Sequence, residues 1–382
     1  MSRIKENPSR PKIVKRGNRR VVCLTAPIEQ LPKIDIAKLV QQERDRWPSW
    51  VSKAMLKKSL QMQQEKSEHP AVEVAGLAYR YGSRVALEDV SFSVPAGEIF
   101  GLLGPNGSGK TTLFRILSTL IPPQSGSARI LGHDLAQDLS AVRRAIGVVF
   151  QAPSLDKKLT AEENLRHQGH LYGLMGSTLS ARIEELLTRV GMLDRRHELT
   201  EKMSGGQRRR VELAKGLLHR PKVLLLDEPS TGLDPGARRD LMRYLKDLAR
   251  EGVTCLLTTH LMEEAGDCGR LGVMSLGKLI ALDTPDALKA RIGGQVVSIQ
   301  AKESQTLSVK IAERFAVVPQ VLDGSVRIER DDGHRFVAQI AEAFPGEFES
   351  VSVSKPTLED VFVRLTGHGI GQDEMPVGAG EK

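Results

Sequence analysis

Residues 104 to 111, Gly104-Pro105-Asn106-Gly107-Ser108-Gly109-Lys110-Thr111, carry the GxxxxGK[ST] pattern of a phosphate-binding loop. Glycines at this spacing let successive backbone N–H groups converge on phosphate oxygens, with the positive end of a helix entered through Thr112 behind them. Lys110 is placed to reach the β- and γ-phosphates of a nucleotide, and the Thr111 hydroxyl to ligate Mg²⁺. Such a pattern arises by chance in a chain of this length on the order of 1% of the time, so its surroundings must decide.

A second group answers it. Leu224-Leu225-Leu226 is a buried-strand run that delivers Asp227 and Glu228 to its C-terminal edge, the ligand side of a parallel sheet. Adjacent acids at a strand end can be a solvated loop. In register with a phosphate loop they have work: Asp227 to hold Mg²⁺ and Glu228 to take a proton from an attacking water.

The elements around these residues are the ones they require. Ile99 to Leu103 is a continuous apolar run, as a strand buried on both faces should be. After the loop, Leu113, Ile116, Leu117 and Leu120 follow helical spacing. Runs at Val223–Leu226 and Val253–Leu257 flank a helix around Leu241–Leu248, which predicts parallel strands with helical crossovers, an α/β core. Ahead of it, Val72, Val74, Leu77 and Val90, Phe92, Val94 alternate about Tyr81-Gly82, predicting an antiparallel β subdomain within a nucleotide-binding domain over 71–290. Between residues 152 and 203 only helices are expected, with Ile183, Leu186, Leu187 and Val190 on one face: an inserted helical subdomain. Beyond Gly293-Gly294 a βαβαβα order predicts a small C-terminal α/β appendage over 294–368, and the glycine-rich residues 369–382 read as a disordered tail.

Composition narrows the class. Hydrophobic content of 40% and charged content of 27% fit a folded globular chain. No window approaches the roughly 18 apolar residues needed to cross a bilayer. The start lacks a secretory signal, so the chain is expected to stay where it is made. Cys23, Cys255 and Cys268 have neither CxxC spacing nor an even count, which excludes a disulfide framework and a zinc module. Residues 1–70 hold 16 Lys/Arg against 7 Asp/Glu, a net of +9, while the remainder nets −1. The basic character therefore belongs to the N-terminal extension, which reads as disordered and then weakly helical from Ile34 to Gln64.

A third motif separates nucleotide machines from one another. Ser204-Gly205-Gly206-Gln207, shortly before the Asp227-Glu228 strand, resembles the signature of the ABC ATPase family. The other landmarks arrive in that family's order: Tyr81, the phosphate loop, Gln151 in Val149-Phe150-Gln151, then Ser230-Thr231-Gly232-Leu233-Asp234, and His260 after a strand. The resemblance covers residues 71 to about 290 and implies a P-loop NTPase fold with ATP and Mg²⁺ as cofactors. It implies two copies paired head to tail, Ser204, Gly205, Gly206 and Gln207 of one facing the phosphate loop of the other. Tyr81 would stack on adenine, Gln151 would complete the Mg²⁺ and water shell, His260 would hold Glu228 and the γ-phosphate, and Asp234 would join the nucleotide-facing set. Met203 stands where the family usually has leucine, a swap of similar volume.

Pro356-Thr357-Leu358-Glu359-Asp360-Val361-Phe362 and Thr258 to Ala265 are similar to the drug-resistance, daunorubicin-exporter branch. The expected partners are separately encoded integral-membrane permease subunits, and the expected place is the cytoplasmic face of the cell membrane. The alternative is a soluble ABC ATPase acting on ribosomes or nucleic acid. Such proteins carry two nucleotide-binding domains, long coiled coils or zinc modules, and this chain shows one domain, no heptad array and a body netting −1, so no specific nucleic acid is expected. The basic extension keeps that alternative open, beside an arm drawn to anionic lipid and a plain disordered tail.

Overall fold

The computed structural model describes residues 69–322 and 324–367, together with the backbone of two strands nearer the start of the chain. Two units divide the chain, 1–66 and 67–382. In the first, β1 (Lys12–Arg16) pairs antiparallel with β2 (Arg19–Cys23), Ile13 opposite Val22. The composition reading expected disorder here. What it passed over is local: Ile13-Val14 and Val21-Val22 flank Gly17-Asn18, a dipeptide of the kind that joins hairpins, and the charge run obscured it. The helix expected over 34–64 and the tail from Gly369 lie outside the described residues.

The second unit is built on apolar runs that no half-exposed strand could carry. β3 (Val72–Tyr81), β4 (Arg84–Val94), β6 (Ser125–Ile130) and β7 (His133–Asp134) form an antiparallel sheet in the order β4-β3-β6-β7. A six-stranded sheet lies behind it in the order β12-β11-β5-β10-β9-β8. Its members are β5 (Ile99–Leu103), β8 (Ile146–Val149), β9 (Val223–Asp227), β10 (Thr254–Thr259), β11 (Arg270–Ser275) and β12 (Lys278–Asp283). All pair parallel except the β11–β12 edge.

Alternate residues of β5, β9 and β10 enter two cores. Phe100, Leu102, Val223, Leu225 and Leu256 pack with α1 (Lys110–Leu117) and the antiparallel sheet, joined by α2 (Leu139–Ala145) through Val142. Ile99, Leu103, Leu224, Leu226 and Leu257 face the other way. There they meet α5 (Gly205–Gly216), α6 (Pro235–Arg250) and the insertion, made of α3 (Ala161–Leu171), α4 (Gly176–Arg189) and two 3₁₀ turns. Each buried leucine contributes about 1.5–3 kcal/mol on leaving water, which is why these strands show no polar alternation. Thr160 and Glu163 form a capping box that starts α3.

After α7 (Met262–Gly266) and α8 (Pro285–Ala290) the chain enters the C-terminal sheet. Its order is βαββαβα: β13 (Gln295–Gln300), α9 (Ser304–Phe315), β14 (Gln320–Leu322), β15 (Ser325–Arg330), α10 (Gly333–Ala343), β16 (Ser350–Ser354) and α11 (Leu358–Thr366). The sequence reading had one strand fewer, because three residues are too short to show alternation. The additional β14–β15 hairpin reverses the chain, and the sheet β14-β15-β13-β16 is antiparallel throughout. Val297, Ile299, Val326 and Ile328 bury one face against α9 and α10. The last helix does not join that cluster: Leu358, Val361 and Phe362 pack into the core of the nucleotide-binding domain beside Ala265, Leu288 and Ile292.

Candidate active site

The phosphate loop leaves β5 through a place that only glycine can occupy. A Cβ on Gly104 would lie 2.4 Å from the Met274 carbonyl oxygen, and one on Gly109, at φ 103°, 2.6 Å from that of Ala86. Gly107 also holds a left-handed backbone, at φ 86°. These turns end at the first residue of α1, so Lys110 rises from inside the loop, and its Nζ donates to the carbonyls of Gly104 and Pro105, each at 2.7 Å. Burial pushes the Lys110 pKa down, against the pull of the Glu228 and Asp227 charges. The Ser108 hydroxyl is buried without a hydrogen-bond partner, a polar group awaiting one. Around the loop lies a cavity of about 160 Å³, lined by Tyr81, Arg84, Asn106, Gly107, Lys110 and Thr111 among others. Pro105 and Thr112 are buried in the loop and the first turn of α1. Arg84 was not among the sequence-read residues; a cation just past the Tyr81-Gly82 turn was the signal.

β9 brings the carboxylates to the same sheet edge. Asp227 Oδ1 accepts from Thr258 Oγ1 at 2.5 Å, a bond that lowers its pKa, but burial is the larger influence and raises it above the ordinary carboxylate value. Glu228 sits one residue beyond the strand at φ 41°, a left-handed conformation that costs a non-glycine residue energy and is found at functional sites. Its amide donates to Thr258 Oγ1 at 3.0 Å. Its Oε2 accepts from Gln151 Nε2 at 2.9 Å and from Thr231 Oγ1 at 3.3 Å. His260 Nδ1 lies 3.2 Å from Glu228 Oε1, without the angle of a hydrogen bond. Gln151, Glu228 and His260 come from three separate elements, and the fold brings them together.

The signature residues stand elsewhere. Ser204 caps α5: its Oγ accepts from the Gln207 amide at 3.3 Å, and Gln207 Oε1 accepts from the Ser204 amide at 2.8 Å. That capping box supplies a local reason for the spacing. Gly205 and Gly206 form the first turn, and Met203 is buried where it fills leucine's volume. None of Ser204, Gly205, Gly206 or Gln207 lines the cavity around Lys110. Asp234 likewise caps α6, accepting from the amides of Gly236 and Ala237 at 2.9 and 3.0 Å, bonds that lower its pKa.

A family model described as "ABC transporter" matches residues 87–231. The daunorubicin resistance ATP-binding protein DrrA3 of Streptomyces coeruleorubidus is 38% identical over 304 residues, covering 78% of this chain and 96% of the relative. The linearmycin resistance ATP-binding protein LnrL of Bacillus subtilis is 34% identical over 75% of this chain and 95% of its own length. A solved dimeric ATP-binding cassette in a post-hydrolysis state, bound to ADP and Pi, superposes with a TM-score of 0.52 at 28% identity, over 56% of this chain and 98% of that one. Among the described residues no helix is long and apolar enough to cross a membrane. Likeness at this level, spanning nearly the full length of two resistance ATPases, places the chain in the ABC transporter family: it is an ATP-hydrolysing, ATP-binding subunit homologous to the drug-resistance exporter ATPases.

Proposed function

We propose that two copies pair head to tail on the cytoplasmic face of the membrane and power an exporter whose membrane-spanning permease subunits are separate chains. Each ATP lies between the Lys110 loop of one copy and the Ser204–Gln207 segment of the other. The observation that carries this is the separation inside one chain: a phosphate cavity with no signature residue in its lining, and a signature segment that instead caps and begins a separate helix. A helix N-terminus and two glycines have an affinity for phosphate that their own chain does not use. The dimeric cassette with ADP and Pi, and relatives named for drug resistance, support the pairing and the outward direction.

In this reading Tyr81 stacks on adenine. The loop amides from Asn106 to Thr112 hold the phosphates, and Lys110 exchanges its two loop carbonyls for phosphate oxygens. Among the described residues no cluster of three His, Cys, Asp or Glu could cage a metal. Mg²⁺ is ordinarily held by one or two carboxylates together with substrate phosphates. Thr111, Asp227 and Gln151 are the groups to hold it, and when bound it neutralises charge on the β- and γ-oxygens. Glu228 accepts a proton from water as the water oxygen bonds to the γ-phosphorus and the β–γ bridging bond breaks, releasing ADP and phosphate. Gln151 and His260, already at Glu228, orient the carboxylate for that transfer.

ATP turnover by the isolated chain is expected to rise more than linearly with protein concentration, because a site is complete only in a pair. A rate strictly proportional to concentration, in a chain shown by light scattering to be monomeric, overturns the shared site.

A further inference from the structure

Three arginines follow the signature, and only the middle one is buried. Arg209 donates from Nε to the Pro229 carbonyl at 2.6 Å and from Nη2 to the carbonyls of Asp227 and Glu228 at 3.3 and 3.4 Å. Its Nη1 donates to the Phe150 carbonyl at 2.6 Å and to Glu212 Oε2 at 2.9 Å. One guanidinium thus takes the three consecutive carbonyls that bracket the left-handed backbone of Glu228, and the carbonyl just before Gln151. Glu212, also buried, completes the grip from the next turn of α5: its Oε1 accepts from the Ser154 amide at 2.7 Å, three residues past Gln151.

We propose that Arg209, braced by Glu212, is a positioning residue for hydrolysis, holding Glu228 and Gln151 in register with each other and with the signature helix. This deepens the reading given above and rests on Glu228 being the base. The chemistry explains the residue type. Buried carbonyls beyond a strand end need donors, and a planar fork with several N–H groups serves four of them and a carboxylate at once. Lysine offers its donors from a single point and cannot span Pro229 and Phe150 together. Since Ser204 caps the helix that carries Arg209, a partner's phosphate at Ser204 is sensed, through one rigid helix, at the base of this copy's own site.

The alternative is a buried ion pair that only supports the fold. Removing one partner alone strands a buried charge, whereas replacing both by apolar residues of similar volume does not. The decisive variant is therefore Arg209→Met with Glu212→Leu in the full chain, measured beside the parent, Glu228→Gln and Arg209→Lys. The double variant leaves no buried charge and should fold and bind fluorescent mant-ATP within about threefold of the parent, with a thermal midpoint lowered by the carbonyls and the Ser154 amide that lose their partners. Its kcat should fall roughly 10- to 100-fold, the loss expected when a reacting group is misplaced by about 1 Å. Arg209→Lys should fall between the two. Parental kcat in the folded double variant, or an equal weakening of mant-ATP binding and kcat, overturns the proposal. Should the double variant not fold, folded Arg209→Lys with parental kcat does so. Parental turnover by Glu228→Gln would instead remove the base assignment, so the two failures are distinguishable.

Discussion

The six-stranded sheet of the nucleotide-binding domain and the four-stranded sheet that follows it solve different problems with similar means. In the first, β5, β9 and β10 are buried on both faces, and their C-terminal ends carry the phosphate loop, Asp227-Glu228 and, one residue on, His260. In the second, one face packs on α9 and α10, and the other shows Ser298, Arg327, Glu329, Ser350 and Ser352. Its polar groups are spent on attachment. Arg327 bonds Asp360 at 3.0 Å and Glu359 at 3.2 Å, and Arg364 bonds Glu329 at 2.8 Å and the Ile292 carbonyl at 3.0 Å. The segment Thr357 to Phe362 is thereby a fastening. Asp360 closes a capping box with Thr357 while Phe362 enters the core beside Ala265, five residues past His260.

The largest expected effect breaks the chemical side of this contrast. Glu228→Gln keeps an oxygen to orient water and leaves Lys110, Thr111 and Asp227 in place, so nucleotide binding should survive. The loss of a proton acceptor should cost about 10² to 10⁴ in kcat. The variant should accumulate as an ATP-bound dimer on size-exclusion chromatography. Parental turnover would refute the base. Lys110→Ala should act one step earlier, since removing the buried cation weakens ATP binding itself, and no ATP-induced dimer should elute; a Lys110→Ala dimer as abundant as that of Glu228→Gln counts against the bridge.

A second pair of variants sharpens the contrast between the sheets. Phe336 and Phe362 are both fully buried, and truncation of either to alanine should cost about 3–5 kcal/mol. Phe336→Ala should lose hydrogen-exchange protection over residues 295–354 while ATP turnover holds. Phe362→Ala should lose protection in α7 and β10 and slow turnover, because its cavity opens beside the segment bearing His260. Identical protection maps for the two would mean that the fastening does not reach the catalytic sheet.

The smallest effect is one of pH. His219 stacks on Tyr172 at 3.8 Å between ring centres, and its Nε2 donates to the Ile146 carbonyl at 2.8 Å in the neutral tautomer. Burial lowers its pKa below the ordinary 6.5. A base with a depressed folded pKa contributes stability that is complete above the unfolded value and is lost as pH falls below it. Between about pH 7 and pH 5 the thermal midpoint of the parent should therefore drop more than that of His219→Phe, which retains an aromatic ring for the stack. Equal slopes would show that His219 is not the group being charged.

The sequence by itself determined the nucleotide chemistry and the core that serves it. A short apolar run such as Leu224-Leu225-Leu226 that ends on two carboxylates suits a strand buried on both faces, and glycine spacing about Lys110 has few other uses, so both signals are local and strong. Ser204 and Gln207 were legible for a similar reason: their spacing also closes a capping box. Tertiary structure alone decided what depends on groups far apart in the chain. β14 is too short to announce itself, and with it the C-terminal sheet became antiparallel. Arg209 looks, in sequence, like one of three equivalent cations; only the convergence of Phe150, Asp227, Glu228 and Pro229 on one buried guanidinium sets it apart. Burial and the direction of a carbonyl are properties of the packed chain, and periodicity along one element carries no record of what arrives from another.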